Sequence, residues 1–146
     1  MRTLRLFSLA LLLVSGIAVG CRKKSMTLEF VVPNDFRGIL TLRGGSAKGI
    51  EVAVTNGLIS LVFPTSGILE VKSKLPTLEW HKPVARYADG KPIPIPGPAA
   101  SVADDVVALR GLGMKNNNTE SWYLVGTADQ MQDAMNKFYG FKVPKQ

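Results

Sequence analysis

Along most of the chain, apolar residues alternate with polar ones over short runs, and turn-forming residues separate the runs. Alternation of this kind predicts half-buried β-strands, whose side chains point to opposite faces in turn. Thr27 to Val32 places Leu28, Phe30 and Val32 on one face, and Pro33-Asn34-Asp35 stops it. Gly38 to Arg43 predicts a second strand with Leu40 and Leu42 on one face, and Gly44 to Gly49 a flexible loop. Ile50 to Thr55 alternates with Ile50, Val52 and Val54 inward, and Leu58 to Phe63 follows after Asn56-Gly57. Asn-Gly between apolar runs predicts a tight hairpin, because both residues tolerate positive φ. Pro64 to Gly67 makes the next turn, and Ile68 to Ser73 predicts a fifth strand. Thr77 to His81 and Val84 to Tyr87 read as two pieces of a sixth, broken at Pro83, with a turn at Asp89-Gly90.

The pattern then changes. Lys91 to Pro98 has proline at alternate positions. Each proline lacks an amide donor and fixes φ, so the segment is excluded from a central strand and should be extended, at an edge or on the surface. Ala99 to Asn118 has no sustained period, because Gly111, Gly113 and Asn116-Asn117-Asn118 interrupt it; a long loop with one short element at most is predicted. Order returns with a strand from Ser121 to Gly126. Thr127 with Gln130 three residues on suits a capping box. Met131, Ala134, Met135 and Phe138 then fall on one helical face, and Gly140 suits the position that ends the helix. The stripe reads as core contact.

The first residues follow another rule. Arg2 and Arg5 precede an apolar run from Leu6 to Val19. That run is shorter than the roughly 20 residues that cross a bilayer. A positive start, a short apolar stretch and small residues at its end predict a secretory signal over 1–20. Ala18-Val19-Gly20-Cys21 looks like a bacterial lipobox, in which the cysteine thiol takes a diacylglycerol and the signal is cut before it. Leu is the commoner residue at the place of Ala18. Cleavage by an ordinary signal peptidase, which leaves a free amino-terminal cysteine, and an uncleaved anchor helix are the competing readings. Cys21 is the single cysteine, so no disulfide forms within the chain. Arg22, Lys23 and Lys24 lie beside the proposed lipid, either as a solvated tether or in contact with anionic headgroups.

Composition narrows the remainder. The chain has 146 residues, 46% hydrophobic and 20% charged, with a formal net charge of +7. That is one ordinary globular domain. No basic patch interleaved with aromatics occurs, which argues against nucleic acid. No repeat of solenoid or propeller period is present.

Catalytic chemistry finds few candidates. His81 is the single histidine, so a histidine metal site has no second ligand of its kind, and no Gly-x-Ser-x-Gly elbow presents a serine to it. Gly44 to Gly49 lacks the Lys and Ser/Thr of a phosphate loop. Asp104 and Asp105 are adjacent carboxylates that read as a solvated loop or helix start. Asn117-Asn118-Thr119 fits a glycosylation triplet, but the lipobox resemblance implies a bacterium, where such a triplet usually means nothing.

Three segments together resemble a family of small bacterial lipoproteins with a β-rich domain of unknown function. Phe30 to Leu40, FVVPNDFRGIL, resembles its IPxxYxGxV opening. Phe63 to Leu69, FPTSGIL, is similar to its IPxSGxL segment, and Trp122 to Asp129, WYLVGTAD, to its FFVGT followed by an acidic helix. The Pro-rich and Asn-rich stretches depart from that pattern. The resemblance implies a lipid-anchored envelope protein and carries no catalytic residue across.

The sequence thus predicts a mainly β fold: an antiparallel β-sandwich or small barrel of six or seven strands with one carboxy-terminal helix. Residues 1–20 are the signal, 21–26 a lipidated tether and 27–143 a single domain. The leading function is a non-enzymatic binding or envelope-associated module, without cofactor or metal. It is held to the non-cytoplasmic side of a membrane through a lipid on Cys21. An envelope protein or a polyanionic ligand is the candidate partner. A structural subunit of an envelope assembly is the alternative, and a hydrolase using Asp104, Asp105 or His81 the third.

Overall fold

The computed structural model describes residues 26–98 and 100–141. Seven strands form two sheets: β1 (Met26–Val32), β3 (Leu58–Val62) and β5 (His81–Tyr87) in order β3-β1-β5, and β2 (Gly38–Arg43), β4 (Ile68–Glu70), β6 (Ala108–Lys115) and β7 (Glu120–Gly126) in order β4-β2-β7-β6. One α-helix among the described residues, α1 (Met131–Tyr139), follows. The mainly β fold with one carboxy-terminal helix is as the sequence predicts. The sheets do not close into a barrel.

The strand directions correct the antiparallel expectation. β1 is parallel to both β3 and β5, and β2 is parallel to β4; only β2–β7 and β6–β7 are antiparallel. The cause is how the chain travels. From β1 to β6 each strand lies in the sheet opposite its predecessor. Every second strand therefore returns to the same sheet in the same direction. The linking turns begin at Pro33 and Pro64, whose carbonyls accept the Phe36 and Gly67 amides at 3.1 and 2.9 Å. They step between layers, which lie about 10 Å apart, rather than between paired strands about 4.8 Å apart. The two turns also interlock. A Cβ on Gly67 would stand 2.8 Å from Phe36 Cζ and 2.7 Å from the Ile39 carbonyl oxygen, so only glycine admits the Phe36 ring. β1, β3, β5 and β7 begin at one end of the sandwich, the proximal end, where β2, β4 and β6 finish. The other end is distal.

The core fills the space between the sheets. Leu28, Phe30, Val32, Ile59, Leu61, Phe63, Ala85 and Tyr87 from the first sheet meet Leu40, Leu42, Leu69, Leu109 and Val125 from the second. Leu58–Val62 is a strand, as its sequence predicts, and it alternates exposed and buried at every residue. The second sheet is buried on its outer face too. There Leu112 and Leu124 pack on Ala134 and Phe138 of α1, with Ile39, Trp122, Met131 and Met135 around them. That is why Thr41, between Leu40 and Leu42, is also buried. The helix stripe is core contact, as read. The helix starts later than a cap at Thr127 predicts. Gln130 Oε1 accepts the Thr127 amide at 3.1 Å, the return half of a capping box, while the Thr127 hydroxyl donates to Asp129. Gly140, at φ 75°, ends the helix with its amide on the Asn136 carbonyl at 2.9 Å.

Four elements differ from expectation. Asn56 and Gly57 make their turn, at φ 52° and 78°, and Thr55 and Leu58 exchange amide bonds at 2.9 Å. Ile50 to Thr55 is nevertheless no strand, and Ile50 and Val54 are exposed rather than inward. Ile50 is bonded to the opposite sheet, giving its amide to Glu70 and accepting from Lys72. An arm tied to one sheet at Ile50 cannot run beside β3 in the other. β4 is shorter than Ile68 to Ser73, with Val71 left in a parallel bridge to Ile50.

β5 runs unbroken through Pro83, and Pro76–Leu78 forms a 3-10 turn instead of a strand piece. Proline is tolerated there because β5 is an edge strand. The Pro-rich run is extended, as predicted, but it has a structural task. Ile93 gives its amide to Ala85, and Pro94 accepts the amide of Leu109, both at 2.9 Å, so the run bridges the edges of β5 and β6. Ile93 is buried beneath it.

The largest correction is β6, eight residues inside the expected loop. Asn116, Asn117 and Asn118, all at positive φ, turn it back into β7. A bulge between Gly111 and Gly113 breaks its period. Gly113 has φ 146°, and a Cβ there would lie 2.9 Å from Phe138 Cζ; Gly111 has open space. Gly113→Ala should therefore cost about 1–3 kcal/mol through backbone strain and collision. Gly111→Ala should be neutral or stabilising by up to about 1 kcal/mol. Urea unfolding of the two variants checks the contrast, and equal effects would contradict the register of β6.

Candidate functional site

Cys21, Arg22, Lys23 and Lys24 lie outside the described residues, as does the signal over 1–20. What the fold shows is where the tether joins. Met26 opens β1 at the proximal end, paired with His81 across the sheet.

The residues weighed for catalysis do not assemble. His81 Nδ1 lies 2.6 Å from the Glu79 carbonyl oxygen, so that nitrogen donates to the local backbone. Asp104 and Asp105 are exposed in a turn ahead of β6, and the Asp104 carbonyl accepts the Ala128 amide at 2.8 Å. The acids are at the distal end and His81 at the proximal end. A seven-residue strand, roughly 23 Å, separates them. Among the described residues, no group of three or more His, Cys, Asp or Glu is placed to hold a metal ion.

The glycine-rich loop is not a phosphate cradle, because its amides are engaged. Gly44 donates to Thr119, Gly45 to Ser73 and Ser46 to Val71, at 2.8 to 3.0 Å. Ser46 Oγ also donates to Glu70 at 2.8 Å. The loop read as flexible is thus tied at several points. Asn117 and Asn118 belong to the β6–β7 turn, where the Thr119 hydroxyl donates to the Asn116 carbonyl at 2.7 Å.

Sequence reasoning missed two charged networks. On the outer face of the first sheet, Arg86 Nε donates to Glu29 Oε1 at 2.8 Å and Ser60 Oγ to Glu29 Oε2 at 2.6 Å, joining β5, β1 and β3. The bond from Arg86 first, and that from Ser60 second, hold the Glu29 carboxyl below its ordinary 4.5; partial burial opposes them. A carboxylate so held is a poor proton donor near neutrality. At the proximal end of the second sheet, Arg43 Nε meets Glu120 at 3.0 Å and its Nη1 meets Glu70 at 3.6 Å. Glu120 also accepts the Trp122 indole N–H at 3.1 Å. Each member sits at an outward position of an alternating strand. That signal exists in the sequence, but the partners are known only once the sheet order is.

Three of the concavities among the described residues lie beside titratable side chains. One of about 340 Å³ lies between α1 and the start of β2, beside Arg37, Gln130, Asp133 and Lys137. Arg37 is committed elsewhere, donating to the Phe36 carbonyl and the Tyr87 hydroxyl with its guanidinium 5.6 Å from the Tyr87 ring centre. The mixture of charges favours no anion. A second, about 320 Å³, lies at the proximal end among Gly45, Lys74, Leu78, Asn117 and Asn118. A third, about 200 Å³, opens between β5 and β6 beside Phe30, His81, Leu109 and Tyr123. Burial pushes the Tyr123 phenol above its ordinary 10.0, against the pull of hydrogen bonds with Ser121 and Thr77. It is therefore a neutral group at physiological pH. None of the three gathers a nucleophile with a base.

No family model matches the chain, and no curated protein matches it. Among solved structures it is similar to a chain described as "Putative Lipoprotein from Bacillus anthracis". The two are 9% identical, the match covers 84% of each chain, and the TM-score is 0.49. Neither value assigns this chain to that protein's family.

The Glu29 network makes stability pH-dependent. A depressed carboxyl contributes stability that is full above its unfolded pKa and is lost as pH falls through the folded one. The urea midpoint should thus decline on acidification below the ordinary 4.5. Glu29→Gln should remove part of that decline. An unchanged acid limb in the variant would show that the network does not carry it.

Proposed function

We propose that this chain is an exported lipoprotein, anchored by a lipid on Cys21 at the non-cytoplasmic side of a bacterial membrane, with a domain that binds or assembles rather than catalyses. The observation that carries it is Ala18-Val19-Gly20-Cys21 after a positively charged start and a short apolar run. Two acyl chains or more anchor stably, where one is marginal. The fold is compatible with a cut before Cys21. Its core starts at Leu28 and closes on itself among the described residues. Residues 1–20 are then the signal, 21–26 the tether and 27–143 the domain. The non-enzymatic reading is supported by polar groups committed to structure: Arg37, Arg43, Arg86 and the Gly44–Ser46 amides. An envelope protein or a polyanionic ligand is the partner this reading admits.

One observation favours the second reading, a subunit of a larger envelope assembly. Ile50, Val62 and Ile68 are 49%, 58% and 41% exposed and share one shallow groove along β3 and β4. Crosslinking in intact cells distinguishes the two by recovering either one stable partner or none.

Wild-type protein should take label from a palmitate analogue and fractionate with membranes. Cys21→Ala should lose both while its domain stays folded. A variant that remains labelled and membrane-bound sinks the anchor reading. An unlabelled, soluble wild type would indicate ordinary signal-peptidase cleavage instead.

A further inference from the structure

The two ends of the sandwich differ in chemistry. Every aspartate among the described residues is distal. Asp35 follows β1, Asp89 follows β5, Asp104 and Asp105 precede β6, and Asp129 and Asp133 lie between β7 and the first turn of α1. Exposed apolar side chains occur at both ends, but the exposed aromatic rings among the described residues, Trp80, Tyr139 and Phe141, all lie at the proximal end. Leu78 and Trp80, 49% and 87% exposed, lie just ahead of β5. Tyr139 and Phe141, 49% and 62% exposed, lie at the end of α1.

That helix end is fixed at the proximal side by its neighbours. Lys115, the last residue of β6, places Nζ 4.9 Å from the Phe138 ring centre and 4.6 Å from that of Trp122. Phe138 in turn meets Tyr139 at 5.0 Å, and Tyr139 meets Phe141 at 5.7 Å. Lys74 and Lys82, both exposed, are at the same end.

Tryptophan is normally well buried, so one at 87% exposure needs a reason. Amphipathic aromatic rings with lysines near them suit the headgroup layer of a bilayer. We infer that the proximal end of this domain, led by Trp80 with Leu78, Tyr139 and Phe141, rests in the headgroup layer of the membrane that holds the chain. The inference rests on the anchor at Cys21.

The occupant follows from reach and charge. From Cys21 to Met26 the extended chain spans on the order of 17 Å. The sandwich is roughly 23 Å long, so the tether cannot bring the distal end to the bilayer around it. The proximal end is delivered to lipid at high effective concentration. All six aspartates, which anionic headgroups repel, sit at the end that points away, whereas the exposed Glu51 and Glu79 of the proximal end are accompanied there by Lys72, Lys74 and Lys82.

The test uses the full lipidated chain in vesicles of phosphatidylethanolamine and phosphatidylglycerol, with ordinary or acyl-brominated lipid. Trp80 emission should shift to the blue on reconstitution and be lost in brominated vesicles. Both effects should vanish in Trp80→Phe, where Trp122 alone reports. Protein that floats with vesicles while Trp80 stays unshifted and unquenched overturns the inference and leaves the anchor standing. Wild type that fails to float, like Cys21→Ala, overturns both. A shift that follows protein concentration and not lipid identifies a second copy as the occupant and also overturns it.

Discussion

Side-chain packing between the two sheets is the contact on which the rest of this structure depends. Because the chain changes sheet at each step from β1 to β6, none of those strands is paired with its neighbour in sequence. Backbone hydrogen bonds alone therefore cannot hold two consecutive strands together. The interior apolar contacts do so, and Phe30 shows how. Its ring stacks on Phe63 at 6.1 Å within its own sheet and meets Tyr123 edge-on at 4.9 Å across the gap. Burying such a side chain contributes about 1.5–3 kcal/mol. In this topology that energy also selects which strands become neighbours.

The same topology separates the faces and the ends. The second sheet lies between the first sheet and α1, so Thr41 and Leu40 are both buried despite pointing to opposite sides. On the outer face of the first sheet, Glu29, Ser60 and Arg86 satisfy one another across three strands. Along the long axis, aspartates gather in the distal loops while exposed aromatics and lysines gather at the proximal end. No local segment carries that polarity. It arises because alternate loops of the chain fall at the same end.

Most distinctive polar groups in the domain are engaged in holding it together. Arg43 links β2 to Glu120 and Glu70, Arg37 fixes the β1–β2 turn to Tyr87, and the glycine-rich loop spends its amides on neighbouring backbone. This distribution suits a domain whose task is to present surface at a fixed place. The proposed anchor, the short tether and the aromatic end form one continuous account of that place. The partner at the open faces is a separate matter, and the groove along β3 and β4 is where an assembly contact has apolar area to use.

The sequence by itself determined the local features. The strand at Leu58 to Val62, the Asn56-Gly57 turn, the stripe of Met131, Ala134, Met135 and Phe138, and the stop at Gly140 all depend on neighbours within a few residues. The expectation at Cys21 likewise rests on the residues just before it, and it lies outside the described residues. Tertiary structure alone decided the pairing. Parallel strands came from turns that cross between layers, and nothing in Pro33-Asn34-Asp35 tells a crossing turn from a hairpin. Ile50 to Thr55 alternates like a strand but is held to the wrong sheet for pairing with β3. Ala108–Lys115 lacks a strand's pattern because Gly113 makes room for Phe138, a residue known to be there only once the helix has packed. The charged networks and the aromatic end were hidden for the same reason. Hydrophobic period reports which side of a strand is buried, whereas the partner on that side is chosen by long-range packing.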